Sequence, residues 1–353
     1  MSSIALQALD HNQCIVYVFY LITRLSALCE PLLSQLIHIH IEGMEKLISS
    51  WYNGQTLPES YIFPLDARSG NLTTAPSRDN IPVIDLGGAK GGDQTYVVNH
   101  GISESLLNDT MGVFKEFFDL HAEDKANLYF DDPKKSYMLS TSSGYFDLED
   151  VHLWRDYLRH PCHPLEECMQ QYLVGTCSAQ VRKVAMKVLE LISEGLGLGT
   201  TYFRDELCHN VTLSVNHYLP CLDPSLTLDV PKHCDPNLNH FTSRRSCKWT
   251  SSFQKRGMDQ CGAYFTSIGV MIISNGKLKS VEHWAVTSSS HSRTSTAFFI
   301  APSDDCIVEP AEALISASNP QHYKPFQYKE FFINYLMKQG KTEVLLETFK
   351  LQA

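Results

Sequence analysis

Two histidines and one aspartate in the second half of the chain have the types and spacing of a metal site. His233 and Asp235 stand two residues apart after an apolar run, and His283 lies within the apolar stretch 281–286. Two imidazoles and one carboxylate can bind an iron ion on three positions and leave the others open for substrate and oxygen. A His-x-Asp triplet alone is more often a loop or surface feature, so the hypothesis depends on the third ligand and on neighbouring motifs.

Two further pairs with the same two-residue spacing could bind a carboxylate. Arg293 and Ser295 follow His283, whereas Asn216 and Tyr218 precede the metal pair. Residues two apart in a strand point to the same face. An arginine beside a hydroxyl suits the capture of a carboxylate, and a phenol could add another hydrogen bond. These four residues are therefore candidates for an anion site beside the metal.

The elements that would position these residues are predicted to be mainly short strands. From Val211 onward the sequence contains VTLSVNHYL, LTLDV, GVMIISNG, SVEHWAV and TSTAFFIAP, each bounded by Gly, Pro, Asn or Ser. Such a series is typical of a sandwich or barrel. Asn275 and Gly276 are a candidate hairpin turn before the strand of His283.

The first half of the chain is predicted to contain more helix. Apolar spacing indicates helices at 102–130 and 178–197, with Gly195 as a terminator, and an amphipathic start at Met44. Strands are predicted at 81–86 and 95–101. The glycine-rich turn at 87–92 lacks the spacing of a phosphate-binding loop and is interpreted as a plain loop. The histidines at 38 and 40 have no third ligand in view and are interpreted as incidental.

Composition excludes several classes of protein. A formal net charge of −10 argues against a nucleic-acid partner, which would require a basic face. Eleven cysteines without a CxxC pair favour reduced thiols in a cytosolic protein. The apolar run 14–22 is too short to span a bilayer. We therefore expect a cytoplasmic monomer that acts on a small molecule.

The combination of HxD, a distal histidine and RxS resembles the plant soluble iron(II)/2-oxoglutarate-dependent dioxygenases, most closely the hyoscyamine dioxygenase-like and flavanone dioxygenase-like branch. The resemblance extends from about residue 44 to residue 353, with interruptions. The matching stretches are IPVIDLGG (81–88), VVNHG (97–101), residues 114–126, HLWRDYLRHPCHPLEE (152–167), LSVNHYLPCLDPSLTL (213–228), KHCDPNL (232–238), ISNGKLKSVEHWAVTSSS (273–290) and RTSTAFFIAP (293–302).

The resemblance implies a mainly β fold with a helical N-terminal part and a double-stranded β-helix, or jelly-roll, core. It also assigns roles to the residues singled out above. The iron ligands would be His233, Asp235 and His283; the distal carboxylate of 2-oxoglutarate would be held by Arg293 and Ser295; Asn216 and Tyr218 match the family's NxY. The implied cofactors are Fe(II), 2-oxoglutarate and O2, with ascorbate in support.

The implied reaction couples oxidative decarboxylation of 2-oxoglutarate, which yields succinate and CO2, to oxidation of a small plant specialised metabolite. Hydroxylation, desaturation and epoxidation of a flavonoid, an alkaloid or a hormone all remain open. The predicted organisation is a non-family extension (1–43), an N-terminal helical and strand domain (44–205), the jelly-roll core (206–310) and a C-terminal helical tail (311–353).

Residues 239–267 depart from the family pattern, which continues with apolar strands after HxD. If the reading frame is shifted by one nucleotide, the codon that spans Trp249 and Thr250 must encode glycine. The codon that spans Met258 and Asp259 must encode tryptophan. Both fall where the family has these residues. We infer that the segment is translated out of frame. Because buried unpaired charges cost several kcal/mol each, we expect residues 239–267 to form a loop outside the core. The jelly roll would then be incomplete around 239–267.

Other departures concern the spacing of motifs and one neighbour of a ligand. The stretches 87–94 and 168–174 are shorter than the family pattern, as if residues had been deleted. Trp284 stands where the family usually has arginine, and its bulk could displace His283 or reshape the pocket. Three hypotheses follow: an active dioxygenase, a catalytically impaired product of a damaged gene, and a structural zinc module. The last is least favoured, because structural zinc sites are usually closed and rich in cysteine.

Overall fold

The computed structural model describes residues 45–68, 83–86, 96–125, 128, 138–144, 146–163, 172–244, 261–264, 267–280, 282–338 and 341–351. Its helices are α1 Ile48–Trp51, α2 Glu104–Asp119, α3 Ala122–Lys125, α4 Tyr172–Gly195, α5 Ile268–Ile273, α6 Tyr328–Met337 and α7 Thr342–Phe349. Its strands are β1 Val83–Asp85, β2 Tyr96–Val98, β3 Met138–Thr141, β4 Asp156–His163, β5 Asn210–Tyr218, β6 Val230–His233, β7 Asn239–Arg244, β8 Cys261–Tyr264, β9 His283–Ala285, β10 Arg293–Ala301, β11 Ile307–Val308 and β12 Phe326–Gln327.

A six-stranded antiparallel sheet forms the centre of the molecule, in the order β3-β4-β5-β10-β7-β8. Its central strands β5 and β10 pair along their whole length, from Arg293 opposite Tyr218 to Ala301 opposite Asn210. Apolar side chains of these strands and of α4, including Leu213 and Val181, share one buried core. The helical N-terminal part therefore supports the sheet through apolar packing, which is the main favourable term in folding.

Three two-stranded sheets complete the described architecture. Strands β6 and β9 form a separate antiparallel pair, and β11 pairs with β12. Strands β1 and β2 pair in parallel near the start of the described chain. The mainly β fold with a helical N-terminal part is confirmed.

Most of the predicted elements are confirmed at shifted boundaries. The predicted strands at 81–86 and 95–101 are β1 and β2. The predicted helix at 178–197 is α4, which begins six residues earlier and ends at Gly195, and the one at 102–130 contains α2 and α3. The predictions for residues 1–43 and for the turn at 87–92 lie outside the described residues. Within the described ranges, no helix has the length and apolar character that crossing a bilayer requires.

The prediction of a strand at GVMIISNG is wrong, because this stretch forms helix α5. Five of its six residues are buried, and a short run that is almost wholly buried carries no periodicity that separates strand from helix. Asn275 and Gly276 end the helix instead of forming a hairpin turn. Both have left-handed φ angles, 52° and 80°, and the Gly276 N–H donates to the Met271 carbonyl, as in a common helix C-terminal motif.

The prediction that residues 239–267 stay out as a loop is wrong at both ends of the segment. Strand β7 lies between β10 and β8 in the central sheet, where Asn239 is opposite Ile300. The Leu238 N–H also donates to the Ile300 carbonyl at 2.9 Å. Without β7, that edge of β10 would leave its backbone groups unpaired, which is unfavourable whatever side chains the segment carries. Residues 245–260 lie outside the described part of the chain.

His217 in β5 is a buried titratable group and gives a prediction of acid sensitivity. Its ring stacks on Phe118 with centroids 4.7 Å apart, and its Nδ1 lies 3.0 Å from the Thr294 hydroxyl. Burial, with the Lys125 charge next, lowers the pKa of His217 from 6.5 to about 4. The neutral ring is favoured in the fold, so its contribution to stability is fully present above pH 6.5 and is lost as the pH falls towards 4.

We expect His217→Gln to flatten the pH dependence of stability between pH 7 and pH 4. The lowering of the His217 pKa from 6.5 to about 4 sets an upper bound of about 3 kcal/mol on the loss of stability in acid that the variant removes. Free energies of unfolding in urea at the two pH values would measure it, with the exposed His291→Gln as the control. An unchanged difference between the two pH values in His217→Gln would contradict the prediction.

Candidate metal centre

Sheet pairing brings two histidines and one aspartate together. His233 ends β6 directly opposite His283 in β9, and their ring centroids are 4.3 Å apart. The two carboxylate oxygens of Asp235 lie 3.7 Å from His233 Nε2 and 3.7 Å from His283 Nε2, respectively. The potential ligand atoms of all three side chains lie within 4.8 Å of one another. Two imidazole nitrogens and one carboxylate around a single point fit the donor set expected for a non-haem iron ion.

The protonation state of His233 suits metal binding. Its Nδ1 lies 2.8 Å from the Pro231 carbonyl, and a carbonyl only accepts, so Nδ1 carries the proton and donates it. The Nε2 lone pair then faces Asp235. Burial, followed by the influence of His283, lowers the pKa of His233 to about 4. A neutral imidazole with one fixed ring nitrogen is the form that binds a metal.

Asp235 reaches the site from the loop that follows β6. Strand β6 ends at His233, and the chain then turns toward α5. The Ile268 N–H donates to the Asp235 carbonyl at 2.9 Å, and the Cys234 N–H donates to the Thr342 hydroxyl. The start of α5 and the start of α7 therefore hold this loop in place from two sides.

The close approach of α5 to this loop requires a glycine. A Cβ atom at Gly269 would lie 2.8 Å from the Leu238 side chain and 2.9 Å from the Asn237 carbonyl. Neither distance is tolerated by a packed carbon atom, and the second neighbour is backbone that cannot rotate away. Gly269 thus lets α5 pack against the chain just after Asp235, which supports the position of that ligand.

The four residues predicted for the anion site also converge. In the register of β5 and β10, Arg293 lies opposite Tyr218 and Ser295 lies opposite Asn216. Tyr218, Ser295 and Asn216 are buried, and the Arg293 guanidinium lies over the Tyr218 ring at 3.8 Å. A cation whose side chain is only 13% exposed, with hydroxyl and amide neighbours, attracts an anion more strongly than the same group in water, because the local dielectric is low.

Three residues near these groups were not predicted as site residues. Arg155 donates to the Asn216 side-chain oxygen at 3.0 Å. Asp229, just before β6, accepts from Arg293. Burial and then the Asp235 charge raise the pKa of Tyr335 in α6, so this phenol lies within electrostatic reach of the metal ligands. Arg155 lies in the matched stretch HLWRDY, whereas Tyr335 carried no recognisable sequence signal.

Trp284 does not displace the neighbouring ligand His283. Its ring packs against an apolar cluster formed by Phe63, Leu153 and Leu228. Successive residues of a strand point to opposite faces, so the indole can pack there while His283 keeps its place beside Asp235. The bulky residue is therefore compatible with an assembled metal site.

Comparison with known proteins identifies the family. Residues 209–302 match the 2OG-Fe(II) oxygenase superfamily, and residues 94–174 match the non-haem dioxygenase in morphine synthesis N-terminal family. The Arabidopsis thaliana protein DOWNY MILDEW RESISTANCE 6 is 32% identical, with 86% of this chain and 98% of that protein covered. Flavanone 3-dioxygenase 2 of Oryza sativa subsp. japonica is 34% identical, with 88% and 98% covered. Hyoscyamine 6-dioxygenase of Hyoscyamus niger is 29% identical, with 87% and 99% covered.

The solved structures agree with the jelly-roll fold. The crystal structure of JOX2 in complex with 2OG, Fe and JA aligns with a TM-score of 0.70 over 86% of this chain and 96% of that one, at 21% identity. At that identity the likeness establishes the fold, while the family follows from the sequence relatives. The chain therefore belongs to the plant dioxygenases of the 2OG-Fe(II) oxygenase superfamily, enzymes that use Fe(II), 2-oxoglutarate and O2.

Proposed function

We propose that this dioxygenase oxidises a small plant specialised metabolite, by hydroxylation, desaturation or epoxidation, with iron held by His233, Asp235 and His283. The observation that carries the proposal is the convergence of three ligand atoms of the required types within 4.8 Å. When bound, iron supplies the activation of O2 that couples decarboxylation of 2-oxoglutarate to oxidation of the substrate. No structural zinc role is needed to account for this open set of ligands.

The protein's contribution to the reaction is to fix and shield these groups. The Pro231 carbonyl fixes the ring of His233, and the backbone around Asp235 is held by α5 and α7. Rigid support of this kind keeps ligands in a productive geometry. Because the site is largely buried, it also restricts water and strengthens each electrostatic contact.

We further propose that Arg293 and Ser295 bind the distal carboxylate of 2-oxoglutarate, with Tyr218 and Asn216 beside them. In the pairing of β5 with β10, Arg293 lies opposite Tyr218 and Ser295 lies opposite Asn216. Arg155 donates to the Asn216 side-chain oxygen and so orients this amide. A guanidinium provides several N–H groups in a planar arrangement that matches a carboxylate. These contacts would hold the co-substrate in one orientation.

The substrate class is proposed from the relatives and from composition. The names of two relatives specify a flavanone and hyoscyamine as their substrates, so flavonoids and alkaloids are the first candidates here. The net charge of −10 supports action without nucleic acid. We also propose that the protein is a cytoplasmic monomer. The division of the chain at residues 44, 206 and 311 is likewise part of the proposal.

The assignment of Arg293 gives a direct test of the co-substrate site. We expect Arg293→Gln to weaken 2-oxoglutarate binding by about 10- to 100-fold, because hydrogen bonds to charged groups contribute about 1.5–3 kcal/mol. Succinate formation would be measured with Fe(II), varied 2-oxoglutarate and a panel of flavonoids and alkaloids. Arg204→Gln is a matched control, since Arg204 is half-exposed and paired with Glu190. Equal 2-oxoglutarate affinity in both variants would overturn the assignment of Arg293.

A further inference from the structure

The arginine assigned to 2-oxoglutarate already has a carboxylate partner within the chain. The Arg293 Nη2 donates to the Asp229 Oδ2 at 2.8 Å. Asp229 is 1% exposed, and its second oxygen, Oδ1, is buried and has no hydrogen-bond partner among the residues that the structure describes. A buried carboxylate that satisfies only one of its oxygens is unfavourable. A gain in stability therefore does not explain why Asp229 is paired with Arg293.

The backbone holds Asp229 in this position. Its N–H donates to the Ala285 carbonyl at 3.1 Å, and the preceding Leu228 carbonyl accepts from the Trp154 N–H at 2.9 Å. The following residue, Val230, is paired with Ala285 in the sheet of the metal ligands. The carboxylate is thus fixed beside Arg293 by the strand that carries His233, and only its side-chain torsions are free to change.

Two carboxylates beside one guanidinium would repel each other. If the distal carboxylate of 2-oxoglutarate reaches Arg293, Asp229 must turn aside or take up a proton, and the free energy of either change is lost from binding. Burial raises the pKa of Asp229 to about 7, with Arg293 and then Arg155 acting in the opposite direction. Arg155 is therefore a second cation within reach of Asp229 when Arg293 changes partner.

We propose that Asp229 is an internal competitor of 2-oxoglutarate for Arg293, and that it weakens co-substrate binding and reduces selectivity for a charged distal group. This inference rests on the proposed function, because it takes Arg293 as the carboxylate anchor. The opposite role, in which Asp229 aims Arg293 at the co-substrate, predicts the opposite sign in the same experiment.

The test is the affinity of the full chain for 2-oxoglutarate in Asp229→Asn, a substitution of nearly equal shape without the charge. Binding would be measured by calorimetry under anaerobic conditions with Fe(II) present. We expect binding at least about 10-fold tighter than in the unmodified chain, which corresponds to about 1.4 kcal/mol. Asp223→Asn is the matched control, since this carboxylate lies nearby in sequence and accepts from the backbone N–H and the hydroxyl of Ser225. Unchanged or weaker binding in Asp229→Asn overturns the proposal.

A second measurement needs no variant, in case Asp229→Asn fails to fold. We expect the unmodified chain to prefer 2-oxoglutarate by less than about 10-fold over 2-oxopentanoate, which lacks the distal carboxylate, because Asp229 already neutralises the anchor. A preference of about 10-fold or more would overturn the inference. If Arg293→Gln leaves 2-oxoglutarate affinity unchanged, the proposed co-substrate site itself fails. If Arg293→Gln weakens binding while Asp229→Asn does not tighten it, only the competition fails.

Discussion

Asp235→Asn should reduce 2-oxoglutarate turnover by about 1,000-fold or more. Asp235 is the only one of the three proposed ligands that carries a negative charge, and its two oxygens face both histidines at 3.7 Å. An amide in its place keeps the shape but loses the anionic donor that iron prefers beside two imidazoles. Iron content after gel filtration and succinate release would measure the effect.

The control for this substitution is Asp304→Asn, which removes a carboxylate that is exposed and paired with Lys329. It should retain iron and turnover. Because the Asp235 side chain is buried, the thermal unfolding of both variants should be recorded to separate loss of iron from loss of fold. A folded Asp235→Asn chain that still binds iron and forms succinate would contradict the proposed ligand set.

Replacement of residues 239–266 by the peptide encoded one nucleotide later should raise the free energy of unfolding by at least about 3 kcal/mol. Strand β7 is an inner strand, and its register places Arg244 opposite Ser295. The alternative frame removes the cluster of basic residues from this part of the chain and restores the apolar pattern of the family. Urea unfolding and succinate formation of the two proteins would measure the difference.

A scrambled version of the replacement peptide is the matched control, because it has the same composition and length without the strand pattern. It should not share the gain in stability. Equal or lower stability of the alternative-frame protein would contradict the inference of a shifted frame. The transcript covering residues 236–270 would decide independently whether the shift lies in the gene or in its reading.

The parts of the site that follow strand alternation could be predicted from sequence. Arg293 with Ser295 and Asn216 with Tyr218 each share a strand face, and the pairing of β5 with β10 then brings the two pairs together. The third metal ligand, His283, could be predicted because it lies in a short strand that the residue pattern indicates. In each case the local pattern and the tertiary arrangement agree, which is why the local pattern was informative.

The parts that depend on long-range packing could not be predicted. The pattern of helix α5 does not distinguish it from a strand, because its short apolar run is almost wholly buried. Asp229 becomes important only because β10 places Arg293 beside it, 64 residues later in the chain. Tyr335 in α6 lies within electrostatic reach of Asp235, but no motif in this helix connects it with the metal site.

A crystal structure of the full chain, grown without oxygen in the presence of Fe(II) and 2-oxoglutarate, is the most direct test of the proposed metal centre. We expect an anomalous iron peak about 2.0–2.2 Å from His233 Nε2, His283 Nε2 and an oxygen of Asp235, in the usual range for such ligands of divalent transition metals. We also expect the distal carboxylate of 2-oxoglutarate to contact Arg293. Iron bound elsewhere, or Arg293 turned away from the keto acid, would contradict the proposed site.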